Sequence, residues 1–557
     1  MYLRTTSRRA ADGTTVRYLQ LAHNVWDPTT HRSNVRVLYH FGRADQLDHD
    51  AIRRLIGSLS RALEPGEALA LQAPELHFCE SRPLGGAWAL DQLWRRLGLH
   101  EIASGLLRGR RLDPAAERVL FALVANRALA PSSKLSCAAW VSERAAVPEL
   151  PELTDDACYR AMDWLLEIEP ELAEQVYWAV ANLLNLEVDL LFFDTTSTYF
   201  ETDAADPPSE GAAAGFRTWN GHSKDHRPDL PQIVIGLAVT REGIPIRVWT
   251  WPGNAADQER IREVKDDLRA WKLGRVVWVA DRGFTSATNR RYLQRAGGHY
   301  ILGEKLRGES AEAKAALARQ GRYQVVADNL AVKEVVLDAG TMRDRFVVCR
   351  NPQEAARDAA VREALLEQLG SAIAGSDERS PAEREALACR LREKPGYRRL
   401  LRVTKQGLLR IDRAAVAAEA RLDGKFLLRT SDPTLSAEDV AVGYKQLLEV
   451  ERAWRDMKTT LALRPVYHRK EARIRAHVLL CWLALLLVRI AEQASGETWR
   501  RLRDELEKLH LGRFRGPAGE VAQRTETTAR QAAIFKALAV AEPPRFFGIE
   551  PATPAAS

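Results

Sequence analysis

The 557-residue sequence has little cysteine. Its six residues, Cys79, Cys137, Cys158, Cys349, Cys389 and Cys481, are scattered, with no C-x-x-C pair and no histidine-rich spacing beside them. That pattern argues against a zinc site or a disulfide framework and suits a reducing cytoplasm. The first ten residues hold three arginines and no apolar stretch, which does not describe a signal peptide. Long apolar runs are also missing. The longest, Val478–Val488 (VLLCWLALLLV), has 11 residues, too short to span a bilayer, and reads as a buried helix. No internal repeats are present.

What remains is the composition of a globular protein, 46% hydrophobic and 28% charged, in a chain long enough for roughly three or four domains. The 14 tryptophans serve core packing and base stacking equally well. The net charge of +7 is unevenly placed. Residues 464–536 carry 15 Lys/Arg against 8 Asp/Glu, an excess as large as that of the whole chain, and the first 43 residues carry 7 Arg against 2 Asp. Two basic ends around a less basic middle suit a polyanionic partner.

Residues 1–60 alternate, as in Val16–Leu21 and Val35–Tyr39, with turns at Asp12-Gly13 and Asp27-Pro28, and predict a small basic β-hairpin unit. Residues 85–185 show helical periodicity, for example at 115–128 and 161–184, and predict an all-helical region over 61–185 that has room for a helix-turn-helix. The pattern then changes. Val188–Phe193 (VDLLFF) is a continuous apolar run, as in a strand buried on both faces. Gln232–Val239 and Ile244–Trp251 follow as a hairpin, then a helix over 257–271 with Asp257 as its cap, then the strand Val276–Ala280. The order strand, strand, strand, helix, strand predicts the first part of an α/β, ribonuclease-H-like core, a mixed sheet flanked by helices, over 186–300. Residues 301–435 alternate short strands with charged helices and are expected to form a separate β-rich insertion. The core resumes over 436–540 with a helix through 436–457 and basic C-terminal helices. Residues 541–557, rich in proline and alanine, are expected to be a disordered tail.

Two carboxylates stand where such a sheet places chemistry. Asp194 follows VDLLFF in Phe193-Asp194-Thr195-Thr196-Ser197, and Asp281 follows VVWVA in Ala280-Asp281-Arg282-Gly283. Their strands are neighbours in the proposed order, so the two charges repel and call for a divalent cation. Oxygen-only ligands favour Mg²⁺ or Mn²⁺ over zinc. A third group lies in Tyr444–Lys458 (YKQLLEVERAWRDMK), where Tyr444, Glu451 and Lys458 are seven residues apart and share a helix face with Arg455. Tyr, Glu, Arg and Lys make a poor core stripe and a good phosphate-facing one. Asp225, Asp229 and Asp257 are competing carboxylates, of which Asp229 is read as ending a loop and Asp257 as capping a helix. Lys224, His226 and Arg227 either hold phosphate or order a loop.

These motifs resemble those of bacterial insertion-sequence transposases of the Asp-Asp-Glu type, in the IS-four-like branch with a Y-x2-R-x3-E-x6-K signature and a β-rich insertion. Tyr444, Glu451 and Lys458 match that signature, while its Arg position is Leu447. The segments from Gly221 to Asp229 and from Trp251 to Asn254 add to the likeness. The resemblance implies a metal-dependent enzyme that cleaves transposon ends and transfers the 3′-hydroxyl to target DNA. Asp194, Asp281 and Glu451 would hold two Mg²⁺ or Mn²⁺ ions, and Tyr444, Arg455, Lys458, Lys224 and Arg227 would contact DNA. It further implies double-stranded DNA partners (terminal inverted repeats and target), a homodimer on DNA, no membrane, and a bacterial, nucleoid-associated location in the cytoplasm. The alternatives are a nuclease of the same fold that never joins strands, and a domesticated, inactive DNA-binding protein.

Overall fold

The computed structural model describes all residues except 11–13, 61–75, 111–112, 151, 185–188, 203, 209–213, 220–222, 226, 272, 274, 309, 340–341, 517–518 and 552–557. The chain divides into two units, one of residues 1–80, 513–522 and 548–557, the other of residues 81–512 and 523–547. In the first unit, β1 (Tyr2–Arg9), β2 (Thr15–Asp27) and β3 (Arg32–Arg43) form an antiparallel sheet, followed by a helix at His49–Ser60. The expected hairpin is thus a three-stranded meander with a helix added. The Asp27 turn is built as anticipated, its carboxylate accepting from the Thr29 amide at 2.9 Å. The Asp12-Gly13 turn lies outside the described residues. Strand β4 (His77–Pro83) leads the chain onward.

The second unit begins with helices, among them Ala116–Leu129, Asp155–Glu167 and Glu169–Leu184. Thr154 caps the second of these by accepting from the Ala157 amide. The first two pack with the apolar helix Glu471–Ser495, whose residues from Ala476 to Ala491 are all buried. That helix is apolar and long enough to cross a membrane, but 94% of the qualifying stretch is buried inside the protein. The 11-residue run is its centre.

A nine-stranded sheet occupies the middle of this unit, in the order β10-β11-β12-β15-β9-β8-β5-β6-β7. The strands are β5 (Leu190–Tyr199), β6 (Gln232–Val239), β7 (Pro245–Pro252), β8 (Val277–Ala280), β9 (His299–Glu304), β10 (Gln324–Ala327), β11 (Leu330–Ala339), β12 (Met342–Arg350) and β15 (Lys425–Thr430). Strand β6 runs antiparallel to both β5 and β7, and is joined to β7 by a turn in which Gly243 has φ +78°. Strand β8 lies parallel to β5 on its other side, and β9 parallel to β8. Parallel strands covered on both faces need apolar side chains throughout, which VWVA and LLFF supply.

The insertion expected over 301–435 is not a separate β-rich lobe. Strand β15 pairs antiparallel with β9, β12 with β15 and β11 with β12, so the insert's strands continue the central sheet. The physical reason is alternation. In β11 and β12, Leu330, Val332, Val347 and Cys349 join the main core, while Val335, Phe346 and Val348 face the helix Ala311–Ala318 on the opposite side. Of the charged residues between them, Lys333 is buried and donates to the Arg319 carbonyl, while exposed Glu334 pairs with Arg345 at 2.7 Å. The part of the insert with its own core is helical instead. Helices Pro352–Ile373, Pro381–Glu393, Pro395–Leu400 and Arg413–Ala420, with the small hairpin β13 (Leu401–Val403) and β14 (Leu409–Ile411), close over Leu369, Leu387, Leu391, Leu400 and Leu409. The expected disordered tail is also corrected in part, since Phe546–Pro551 forms a strand. Residues 552–557 of it lie outside the described residues.

Candidate active site

Strand β5 does not end at Phe193 but continues through Tyr199, so Asp194 stands in mid-strand. The parallel partner β8 does end there. Phe193 is opposite Ala280 in the register, and the next residues are Asp194 and Asp281. Two parallel strands in step send equivalent side chains to the same face, so both carboxylates leave the sheet together. Beyond this point β5 pairs only with β6, leaving its other edge open. Burial raises the Asp194 pKa, Lys224 opposes the rise, and the charges of Asp257 and Asp281 add to it. Asp194 keeps 22% of its side-chain surface accessible, enough to meet a ligand.

The four residues after Asp194, Thr195 to Thr198, are buried hydroxyls. Two of them anchor lysines. Lys224 bonds the Thr195 hydroxyl at 2.7 Å and lies 3.6 Å from Asp194 and 3.4 Å from Asp257. Lys458 donates to Thr196 at 2.8 Å and to Asp225 at 2.8 Å, and burial lowers its pKa against the pull of Asp225. Arg464 reaches the same Asp225 oxygen at 2.9 Å. Arg227 pairs with Asp229 at 2.7 Å and lies over the Tyr199 ring.

Tyr444 donates to Asp281 Oδ1 at 3.0 Å. Burial and then the Asp281 charge push its pKa well above the ordinary phenol value, so it remains a donor. Its place depends on Gly303 in β9, where a Cβ would come within 2.3 Å of the Tyr444 hydroxyl. The predicted single helix is broken between Ala437–Lys445 and Leu448–Thr459, which separates Tyr444 from Glu451 and Lys458. The second helix packs on β5 and β6 through buried Val450, Ala453, Trp454 and Met457. Glu451, Arg455 and Lys458 are each one residue on from a member of that stripe, about 100° around the helix, and so form its flanking edge. A buried Arg489 on the apolar helix fixes this element, pairing with Asp456 at 2.6 Å and Glu492 at 2.7 Å.

The structure therefore unites Asp194, Asp281, Lys224 and Tyr444, with Lys458 one residue along β5. The Glu451 charge acts on Tyr444, yet its own side chain is exposed and makes no hydrogen bond or ion pair among the described residues. Among those residues no three His, Cys, Asp or Glu side chains close around a single point. Arg455 is exposed and forms no ion pair among the described residues, whereas Arg452 is taken by Glu492 at 3.3 Å. Leu447 is buried packing.

Sequence reasoning missed three roles. Asp257 does not cap its helix, which starts at Asp257 with Ala256 before it. Its carboxylate accepts from Thr195 at 2.8 Å instead. Asp225, which the sequence marks only as a competing carboxylate, is the shared acceptor of Lys458 and Arg464. Its one signal was adjacency to Lys224. Gly303 carried no signal at all.

Residues 195–487 match the Transposase DDE domain family, and residues 3–70 match the N-terminal domain of IS1634 family transposases. The first match covers more than half of the chain, starts one residue after Asp194 and includes Asp281, Tyr444, Glu451 and Lys458. No curated protein matches. Among solved structures, a cryo-EM structure of a piggyBac transposase synaptic complex with hairpin DNA aligns over 77% of this chain and 82% of that one. The pair share 11% identity at a TM-score of 0.35, too low to inform the fold. On the two family matches, the chain belongs to the DDE transposases of bacterial insertion sequences, enzymes that move DNA.

Proposed function

We propose that Asp194, Asp281 and Glu451 hold two divalent cations, Mg²⁺ or Mn²⁺, on a ribonuclease-H-like core. This site cleaves the ends of a DNA element and joins the freed 3′-hydroxyl to target DNA. The observation that carries the reading is the in-step pairing of β5 and β8, which puts Asp194 and Asp281 side by side where β8 stops. The order β7-β6-β5-β8-β9, three antiparallel strands followed by two parallel ones, supports the fold assignment.

Family membership brings divalent-metal use, and the residues suit it in chemistry and charge. The donors are all oxygen, which hard cations prefer. Asp194, Asp257 and Asp281 crowd negative charge at a partly buried point that Lys224 offsets only in part. Glu451, exposed and unpaired among the described residues, completes the set. Divalent cations held by these carboxylates would supply Lewis-acid activation of a water and of the phosphate. Tyr444 orients Asp281 through its hydrogen bond. Lys458, fixed by Thr196 and Asp225, holds positive charge beside the reacting phosphate. Arg455 meets DNA phosphate in place of the arginine that Leu447 replaces, and Lys224 and Arg227 line the approach.

The helical residues up to about 180 and the basic segment 464–536 recognise the ends, chiefly through phosphates. A homodimer on the nucleoid of a bacterial cytoplasm brings two ends together. Incubation with Mg²⁺ and the DNA flanking the reading frame tests the proposal. Cleaved ends and joined products are expected, and cleavage without joining would leave only the nuclease reading.

A further inference from the structure

The inserted helical lobe carries an unusual charge. Residues 389–413 hold nine Lys/Arg against Glu393 and Asp412. Two of the nine have acidic partners, Arg410 with Asp377 at 2.7 Å and Arg399 with Glu419 at 3.7 Å. Among the described residues the other seven have none. Arg390, Arg392, Lys394, Arg398, Arg402, Lys405 and Arg413 are all exposed. They are interleaved in sequence with the residues that build the lobe's own core, Leu387, Leu391, Tyr397, Leu400 and Leu401, and one of them, Lys394, lies over the Tyr397 ring.

Local structure accounts for part of this. Arg390 and Arg392 sit in the last turn of the helix Pro381–Glu393, where cations complement the helix dipole. It does not account for Arg402, which stands directly opposite Arg410 across the β13–β14 hairpin. Like charges facing each other on paired strands are destabilising, and Asp377 neutralises Arg410 alone.

We infer that this face of the lobe is a second DNA surface, binding the phosphate backbone of duplex DNA outside the catalytic site. The inference rests on the transposase reading and extends it to a part of the chain that the catalytic constellation does not use. Exposed, unpaired guanidinium groups cost little to maintain and gain by releasing counterions from a polyanion. An acidic protein surface would offer the same sign of charge without the dense, regular spacing of phosphates.

The test uses the full-length protein with Arg390, Arg392, Arg398 and Arg402 all changed to Gln. Binding is measured across a salt series on two duplexes of equal length, one carrying the element's end and one unrelated. Each lost phosphate contact lowers the slope of log affinity against log salt by about 0.9, so a slope shallower by roughly 3 to 4 is expected. The corresponding quadruple Arg→Lys variant should restore it, which separates charge from folding. Arg357→Gln, which removes a lobe arginine already paired with Glu354, should leave it unchanged. A change on both duplexes assigns the face to flanking or target DNA, and a change on the end duplex alone assigns it to the end. Wild-type slopes retained by the Gln variant on both duplexes would overturn the inference and leave the catalytic reading intact. Failure of the wild type to bind either duplex would overturn both.

Discussion

Cations in the two halves of this protein stand in opposite circumstances. Beside the sheet centre, Lys224, Lys458 and Arg464 are each held by a carboxylate on a neighbouring element, and two of them also meet the hydroxyls of β5. On the inserted lobe, seven exposed cations have no acidic partner among the described residues. Partly buried pairs are costly to desolvate and costly to break, so they fix geometry. Exposed unpaired charges fix nothing and remain available to a ligand. Arg455 belongs with the lobe by this criterion, although it lies on the helix edge that carries Glu451.

The sharpest way to break this comparison is at the acids themselves. Changing Asp194 or Asp281 to Asn, or Glu451 to Gln, should lower cleavage by about 10³-fold or more while leaving end binding nearly intact, because only the transition state needs the metals. A gel assay that found wild-type cleavage in any one variant would remove that residue from the site.

A second test compares anchored and exposed pairs. Asp225→Asn leaves Lys458 and Arg464 facing a neutral acceptor and should cost about 3 kcal/mol in urea denaturation. Asp229→Asn, which removes the partner of exposed Arg227, should leave the denaturation midpoint unchanged. Equal effects would erase the distinction.

Gly303→Ala comes next. Its new methyl displaces the Tyr444 hydroxyl from Asp281, and the loss of one charge-assisted hydrogen bond should slow cleavage by about 10-fold. Combining it with Tyr444→Phe should add almost nothing, since both remove the same bond. Additive losses would show that Gly303 acts elsewhere.

Arg455→Ala should make DNA binding weaker and its salt slope shallower by about 0.9. Leu447→Ala should instead cost about 2 kcal/mol of stability and keep the slope. The smallest effect concerns stability and pH. Folding raises the Asp194 pKa, so its ionisation opposes folding. That cost is absent below the ordinary aspartate range and grows as pH rises through it toward the folded value. Asp194→Asn should therefore raise Tm at neutral pH but not near pH 3, and a pH-independent shift would contradict the stated cause.

Local pattern made much of this legible. The apolar runs LLFF and VWVA located β5 and β8 to within a few residues, and with them the two aspartates. The strand after Phe193 was hidden because Thr195, Thr196, Ser197 and Thr198 look like a loop, and only tertiary packing buries them. The insert was misread for a related reason. Strands β11 and β12 alternate, and whether an alternating strand joins a central sheet or a separate one depends on its partner, which no local window contains. Asp257 looked like a cap since it opens a helix, yet Thr195 and Lys224 compete successfully for its carboxylate. Gly303 could not be read, because its role is to leave space for a tyrosine 141 residues away.

The central claim is that Asp194, Asp281 and Glu451 form one metal site that both cuts and joins DNA. The most direct measurement incubates wild-type protein and the Asp281→Asn variant with Mg²⁺ and a duplex carrying the element's own ends, and resolves cleaved and joined strands on a sequencing gel. The account predicts both products from the wild type, neither from the variant, and neither from the wild type when the metal is chelated. Joined products from Asp281→Asn, or cleavage that persists without divalent metal, would contradict it.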